Sequence, residues 1–437
     1  EVGNPITFMV LNAHHELKLI YPKVHCRVTQ NSRKDYLDAI NRDFVSGRNV
    51  IAFLNDDGLI PAQLKAGKNL QDARRYVAGG CWEIILEGYE HSAGANCYFN
   101  LLRIMDMTIH GGPEAADTGV ACNGIDAAQG FDDVYRIVLD NVTRAIRHMC
   151  ATMARNGSIW PMVSPAPFFS ACLADCLEKR RDYTAGGGRY NPHGLPLGAF
   201  ANFVDSLLAM QTLCFESQHC SLAELLRAIR ADWVGYEALR ARALTTPHFG
   251  DNTPESNTLA RRILNDIEAG TRGLTNERGG PFQLGLYIYR EVIGWGKLTR
   301  ATPDGRRAGD VLTQGVTPSR LHRDQAITST INSASALDLT ACPANSVLTV
   351  SLPLGTVNLE TLAQLERAFA TSGIGMLQMN CIDREQLLDA QARPERHQDL
   401  VVRLYGYSAR FVQLTAEMQD EFIARTLYEA GTPSVQA

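Results

Sequence analysis

Several common protein classes are excluded by what this chain lacks. No apolar run approaches the roughly 20 residues that a membrane-crossing helix needs. No basic stretch followed by an apolar one opens the chain, so no signal peptide is read there. A nucleic-acid binder would show a basic excess, whereas the formal charge is −5 and the pI about 6.2. Tight basic groups include Lys179-Arg180-Arg181 and Arg306-Arg307, and a solvated helix end accounts for the first. The eleven cysteines are an odd count with neither a CxxC nor a paired Cys/His spacing. That pattern favours a reducing cytoplasm over a disulfide framework or a zinc site. Gly186-Gly187-Gly188 has neither the GxxxxGK[ST] spacing nor a preceding strand, so it is not a phosphate loop. Internal repeats and low-complexity tracts are missing too.

What is present is an alternation of short apolar runs with amphipathic stretches. At 437 residues the chain can bury a large core. The patterning predicts strands at 24–28, 50–54, 347–352 and 375–382. It predicts helices over 4–20, 33–44, 61–77 (interrupted near Gly67), 100–109, 131–154, 168–180, 197–215, 222–229, 236–243, 256–269, 359–370 and 384–391. This is the rhythm of an α/β barrel or a doubly wound sheet. No linker divides the chain, although a C-terminal unit over 321–437, following 1–320, is a natural division.

Two turn-like segments carry the functional argument. Gly406 follows the apolar run 400–404 and precedes a helix-like stretch, 415–427. A lone glycine there is ordinarily a turn residue free to take positive φ. Its Cα is also the one backbone carbon that can lose a hydrogen, become planar and spread the unpaired electron into both flanking amides. Gly79-Gly80-Cys81-Trp82-Glu83 is a second tight loop with a cysteine at its tip. A glycine radical is stable enough to be stored, and a thiol exchanges hydrogen with it reversibly. The pair would need one enclosed, water-poor cavity.

The motif Arg403-Leu404-Tyr405-Gly406-Tyr407 resembles the Arg-Val-x-Gly-Tyr signature of the glycyl radical enzymes, with Phe411, Gln419, Arg425 and Thr426 matching its continuation. Gly80-Cys81-x-Glu83 resembles the catalytic cysteine loop of that family. Asn55-Asp56, the segments 182–191 and 302–309, and Asn380-Cys381-Ile382-Asp383 fall in the family's order. The resemblance covers the whole chain and implies the second half of an enzyme built on a ten-stranded α/β barrel, the two loops meeting at its centre. It further implies a glycyl radical at Gly406, hydrogen abstraction by Cys81 and no metal or organic cofactor in the chain itself. The radical would be installed by an activating enzyme that uses S-adenosylmethionine and an iron–sulfur cluster, recognises Arg403 and Tyr407, and draws out the segment 390–437. A homodimer in the cytoplasm of an anaerobic bacterium, with a microcompartment as a variant, belongs to the same expectation.

Within that family the residues after Cys81 narrow the chemistry. Formate-acetyltransferase relatives carry two adjacent cysteines, whereas Trp82 follows Cys81 here. Relatives that add hydrocarbons to fumarate lack the acid that Glu83 provides. The resemblance therefore implies a radical lyase, either a dehydratase-like eliminase cleaving C–O, C–N or C–S bonds or an arylacetate-type decarboxylase, with Glu83 as general base. A truncated, non-catalytic relative is the remaining reading. Dehydratase relatives continue with Pro and later Trp-His-Asp, whereas this chain has Ile84 and then Ala93-Gly94-Ala95. Glu90 and His91 are the nearby candidates for protonating a leaving group. Trp82, as a pocket wall, and Asn55 complete the expected substrate contacts.

Overall fold

Eleven short strands are set among helices in the computed structural model, which describes residues 3–91, 97–122, 124–322 and 326–425. In chain order they are β1 (Val24–Val28), β2 (Ile51–Asn55), β3 (Tyr76–Ala78), β4 (Ile84–Leu86), β5 (Phe99–Asn100), β6 (His193–Gly198), β7 (Phe282–Leu286), β8 (Asn345–Leu352), β9 (Met376–Cys381), β10 (Val401–Arg403) and β11 (Ser408–Arg410). Seven form one sheet in the order β1-β2-β9-β8-β7-β6-β5. Its neighbours run parallel except at β2/β9, where the direction reverses. Strands from both ends of the chain thus share one sheet. β2, β6, β7 and β9 are buried at every position, as parallel strands covered on both faces must be.

The four predicted strands are present within a residue or two, but β6 and β7 were not anticipated. Their sequences, His-Gly-Leu-Pro-Leu-Gly and Phe-Gln-Leu-Gly-Leu, carry residues that ordinarily argue against a strand. Pro196 is tolerated in β6 because β5 pairs only with Leu197 and Gly198, leaving the β5 side of Pro196 open. The helix expected at 197–215 begins only at Phe200 and ends in a wider π-helical turn, Gln211–Glu216. The helix expected at 168–180 is confined to Pro167–Ala171 and gives way to turns. That expected at 61–77 starts earlier, as Asp56–Lys65, and its tail is strand β3.

Two hairpins stand apart from the main sheet, β3–β4 and β10–β11. Side-chain amides tie the second to its surroundings. Asn49 accepts the Cys381 N–H at 2.7 Å, donates to the Val401 carbonyl at 3.1 Å, and its own carbonyl accepts from Ser408 Oγ at 2.7 Å. Asn380 accepts the Arg403 N–H at 2.7 Å and donates to the Arg403 carbonyl at 2.9 Å.

Asn55 has a different role from the expected substrate contact. It is fully buried at the end of β2, and its Oδ1 caps the following helix by accepting the Asp57 N–H at 3.0 Å. Its Nδ2 serves the carbonyls of Phe369, Ala370 and Ile374 at 3.1, 3.1 and 2.9 Å. With both amide atoms committed to backbone, Asn55 is a structural staple. Replacing Asn55 by Ala removes a helix cap and strands buried carbonyls, so it is expected to destabilise by about 2–3 kcal/mol. A lowered urea midpoint checks this, and an unchanged midpoint contradicts it.

Candidate active site

Both chemically suggestive loops are hairpin tips. β3 and β4 pair out to Ala78↔Ile84, and the Gly79 N–H closes on the Glu83 carbonyl at 2.8 Å, which leaves Cys81 at the apex. Glu83 folds back over the loop, so a Cβ on Gly80 would lie 2.3 Å from its Oε1. Its Oε2 accepts the N–H of Cys81 at 3.2 Å, the N–H of Trp82 at 3.1 Å and the Tyr289 hydroxyl at 2.7 Å. The carboxylate is thereby fixed by three donors beside the cysteine.

The other tip spans residues 404–407, beyond the Arg403↔Ser408 pair that ends β10 and β11. Its Leu404 N–H reaches the Tyr407 carbonyl at 2.9 Å. Gly406 has φ +86°, and a Cβ built there would lie 2.4 Å from Cys81 Cβ and 2.8 Å from Cys81 Cα. Backbone conformation and space both demand glycine. One acceptor joins the two tips: Gln378 Oε1 takes the Gly406 N–H at 3.0 Å and the Trp82 indole N–H at 3.0 Å. The Gln378 amide in turn donates to the Leu404 carbonyl.

Burial raises the Cys81 thiol above its ordinary pKa, with Lys23 and Arg403 opposing and Glu83 adding to the rise. The S–H bond is therefore kept at neutral pH, as hydrogen-atom exchange requires. Lys23 Nζ donates to the Gly80 carbonyl at 2.8 Å and stands 3.9 Å from Cys81 Sγ. Arg403 is fully buried and donates to the Val50 carbonyl at 3.3 Å, Ser408 Oγ at 3.4 Å and His25 Nε2 at 3.4 Å. Burial lowers its pKa to about 10, and burial with the Arg403 charge takes His25 down to about 3. The imidazole is thus a neutral acceptor. Tyr98 is pushed up to about 12, chiefly by burial and then by Glu291, Glu83 and Cys81.

The structure brings Cys81, Glu83, Trp82 and Gly406 together and commits other expected residues elsewhere. Trp82 is not an exposed pocket wall: it is fully buried, with its ring stacked on Tyr289 at 5.0 Å. Glu90 forms a buried ion pair with Lys68 at 2.8 Å and accepts the Leu86 N–H at 2.8 Å. Its charge is already spoken for, and it holds the chain after β4 rather than facing a leaving group. His91 stacks on Tyr183 at 4.8 Å and lines a separate cavity of about 320 Å³ with Trp160, His193, Glu277 and Arg278. Neither Cys81 nor Gly406 lines that cavity. Arg403 is enclosed, so an external partner meets it only with the loop drawn out, whereas Tyr407 is partly exposed. Ala93, Gly94, Ala95 and Thr426 lie outside the described residues. Among the described residues no cluster of three or more His, Cys, Asp or Glu is arranged to hold a metal.

Sequence reading missed Lys23, Tyr289 and Gln378. Tyr289 follows β7, a strand not anticipated, and Gln378 faces the loops from the middle of one that was. Lys23 immediately precedes β1, where a lysine at a strand entrance is unremarkable without the third dimension.

Comparison with known proteins gives this geometry a lineage. Residues 1–296 match the family described as Pyruvate formate lyase-like, and residues 312–412 match the one described as Glycine radical. The chain is 26% identical over 430 residues to trans-4-hydroxy-L-proline dehydratase of Clostridioides difficile, covering 97% of this chain and 54% of that protein. It is 26% identical over 441 residues to (2S)-3-sulfopropanediol dehydratase of Klebsiella oxytoca, covering 98% and 53%. The glycerol-bound B12-independent glycerol dehydratase of Clostridium butyricum superposes with a TM-score of 0.90 at 30% identity, covering 97% of this chain and 54% of that one. The chain therefore spans about half the length of the relatives it matches. With the matched segments covering both hairpin tips, the chain belongs to the pyruvate formate lyase-like family of glycyl radical enzymes.

Proposed function

We propose that this chain carries the radical machinery of a lyase that eliminates water or another leaving group from a small hydroxylated substrate. The observation that carries the reading is the abutment of Gly406 on Cys81, with Glu83 fixed two residues further on. Two relatives named for dehydrating hydroxyproline and sulfopropanediol, and a third named for glycerol, support elimination over acyl transfer.

Each step follows from the placement of these groups. A radical at Gly406 Cα takes the hydrogen atom of the Cys81 S–H, leaving the unpaired electron on sulfur. Sulfur then takes a hydrogen atom from a substrate carbon that bears a hydroxyl. Glu83 accepts the hydroxyl proton, and the resulting electron-rich carbon radical expels the neighbouring group with its bonding electrons. The product radical recovers a hydrogen atom from Cys81, the sulfur takes one back from Gly406 Cα to restore the stored radical, and the proton held by Glu83 passes to the departing group. Tyr289, which donates to Glu83 Oε2, stabilises the carboxylate before the proton arrives and releases it afterwards. The buried indole of Trp82, stacked on Tyr289, shields one flank of the half-buried Cys81 from water. Generating the first radical falls to an activating enzyme with S-adenosylmethionine and an iron–sulfur cluster. The candidate contacts for that enzyme are Arg403 and Tyr407. A homodimer in an anaerobic cytoplasm belongs to the same reading.

Anaerobic incubation with an activating enzyme is expected to yield an EPR doublet, since one hydrogen remains on the radical carbon. Gly406→Ala removes that signal, and a doublet that persists in the variant would sink the assignment. Glu83→Gln is expected to keep the doublet while turnover falls by about 10²–10⁴-fold. Loss of the radical in Glu83→Gln would instead make this carboxylate a structural brace of the loop.

A further inference from the structure

Most of the eleven cysteines are packed into the core, but two are brought into contact by an unusual piece of backbone. The helix Phe200–Met210, which follows β6, runs on into the π-helical turn Gln211–Glu216. That wider turn closes through the Ser217 N–H on the Thr212 carbonyl at 2.9 Å. The chain then reverses at Gln218, a non-glycine residue held at φ +48°, a conformation that side chains adopt only at a cost. The Leu213 carbonyl accepts both the His219 N–H at 2.9 Å and the Cys220 N–H at 3.4 Å. Cys220 is thereby fastened to the peptide group that precedes Cys214, and the two sulfurs lie 3.8 Å apart. Cys214 is half-buried and Cys220 buried. A π turn and a strained left-handed residue are features that tend to be kept where a function uses them.

The two sulfurs also alter each other's chemistry. Whichever loses its proton first keeps the other's S–H as a hydrogen-bond donor. That bond lowers the Cys220 thiol below its ordinary pKa, whereas burial pushes Cys26, Cys97, Cys150 and Cys381 up to about 12 and raises Cys81 as well. The thiolate is the form that oxidants attack. We propose that Cys214 and Cys220 are a redox-active dithiol, which hydrogen peroxide converts to a reversible disulfide. The sulfur that has shed its proton attacks one oxygen of the peroxide, the O–O bond breaks, and hydroxide leaves a sulfenic acid behind. The hydroxide takes the partner thiol's proton and becomes water. The partner thiolate attacks the sulfenic sulfur, the S–S bond forms as the S–O bond breaks, and the second hydroxide is protonated to water. The two thiols give up two electrons and the peroxide accepts them. Bringing the sulfurs to the S–S length of about 2.0 Å is left to side-chain rotation, because Leu213 already holds the backbone closed. Disulfides of this kind in a reducing compartment are transient and report oxidants rather than build folds.

The unactivated protein serves for the test, which is independent of the radical and of the lyase reading. Trypsin releases residues 190–227 as one peptide whose only cysteines are Cys214 and Cys220. The reduced protein is exposed to hydrogen peroxide in oxygen-free buffer, quenched with N-ethylmaleimide in urea, digested and followed by mass spectrometry. The 190–227 peptide is expected to lose two hydrogens and both maleimides while the peptide holding Cys81 still takes its label. A phosphine reductant should return both labelling sites. Gln218→Val keeps both sulfurs but places a β-branched residue in the left-handed turn, so disulfide formation is expected to slow several-fold, and Gln218→Gly should not slow it. Unfolding in urea before the peroxide is added should also slow it several-fold. Thiols at 214 and 220 that outlast the Cys81 thiol, sulfinic acid in place of the disulfide, or a rate unchanged both in urea and in Gln218→Val would overturn the proposal.

Discussion

The arrangement of this protein depends on a contact that only glycine allows. Gly406 stands so close to the backbone of Cys81 that even a methyl group would overlap Cys81 Cβ. Two hairpin tips from distant parts of the chain can approach this far only if one has no side chain. Everything nearby serves that approach. Gln378 accepts from both tips, Asn345 donates to the Trp82 carbonyl, and Asn49 and Asn380 hold the strands that carry Gly406. Buried amides suit this work because each offers donors and an acceptor in a fixed plane, without the desolvation demand of a charge.

The charged groups of the site are arranged by the same logic of burial. Cys81 retains its hydrogen because burial disfavours the thiolate. His25 stays neutral because it is buried and because the charge of Arg403 stands against it. The carboxylate of Glu83 is steadied by hydrogen bonds rather than by a cation. Lys23, half-buried, holds its ammonium 3.9 Å from the sulfur while donating to the Gly80 carbonyl.

How much of this was legible beforehand depended on whether a residue's role was local or spatial. Cys81, Glu83 and Gly406 were readable because tight loops carry short motifs whose chemistry is intrinsic to the residues. Strand β2 was readable because its apolar run is nearly continuous, and β1, β8 and β9 because apolar residues recur in them over a strand's length. β6 and β7 were not, since Pro196, Gly194 and Gly285 mask a strand whose pairing comes wholly from neighbours far away in sequence. Glu90, His91 and Asn55 were drawn into the site by proximity in sequence or order, yet their partners (Lys68, Tyr183 and the carbonyls near Phe369) are set by the fold. Lys23 and Tyr289 escaped notice for the converse reason: nothing in their local sequence points to Cys81.

The β10–β11 hairpin, finally, is a two-stranded ladder of its own and contributes no rung to the seven-stranded sheet. It is fastened by side-chain amides, by Arg403 and by the burial of Val402 and Leu404, not by pairing with the main sheet. Its relation to the rest is that of a latch rather than a beam. Withdrawing it would uncover the buried side chains of Val402, Leu404 and Tyr405 and break a handful of discrete bonds, yet it would leave every rung of the main ladder in register.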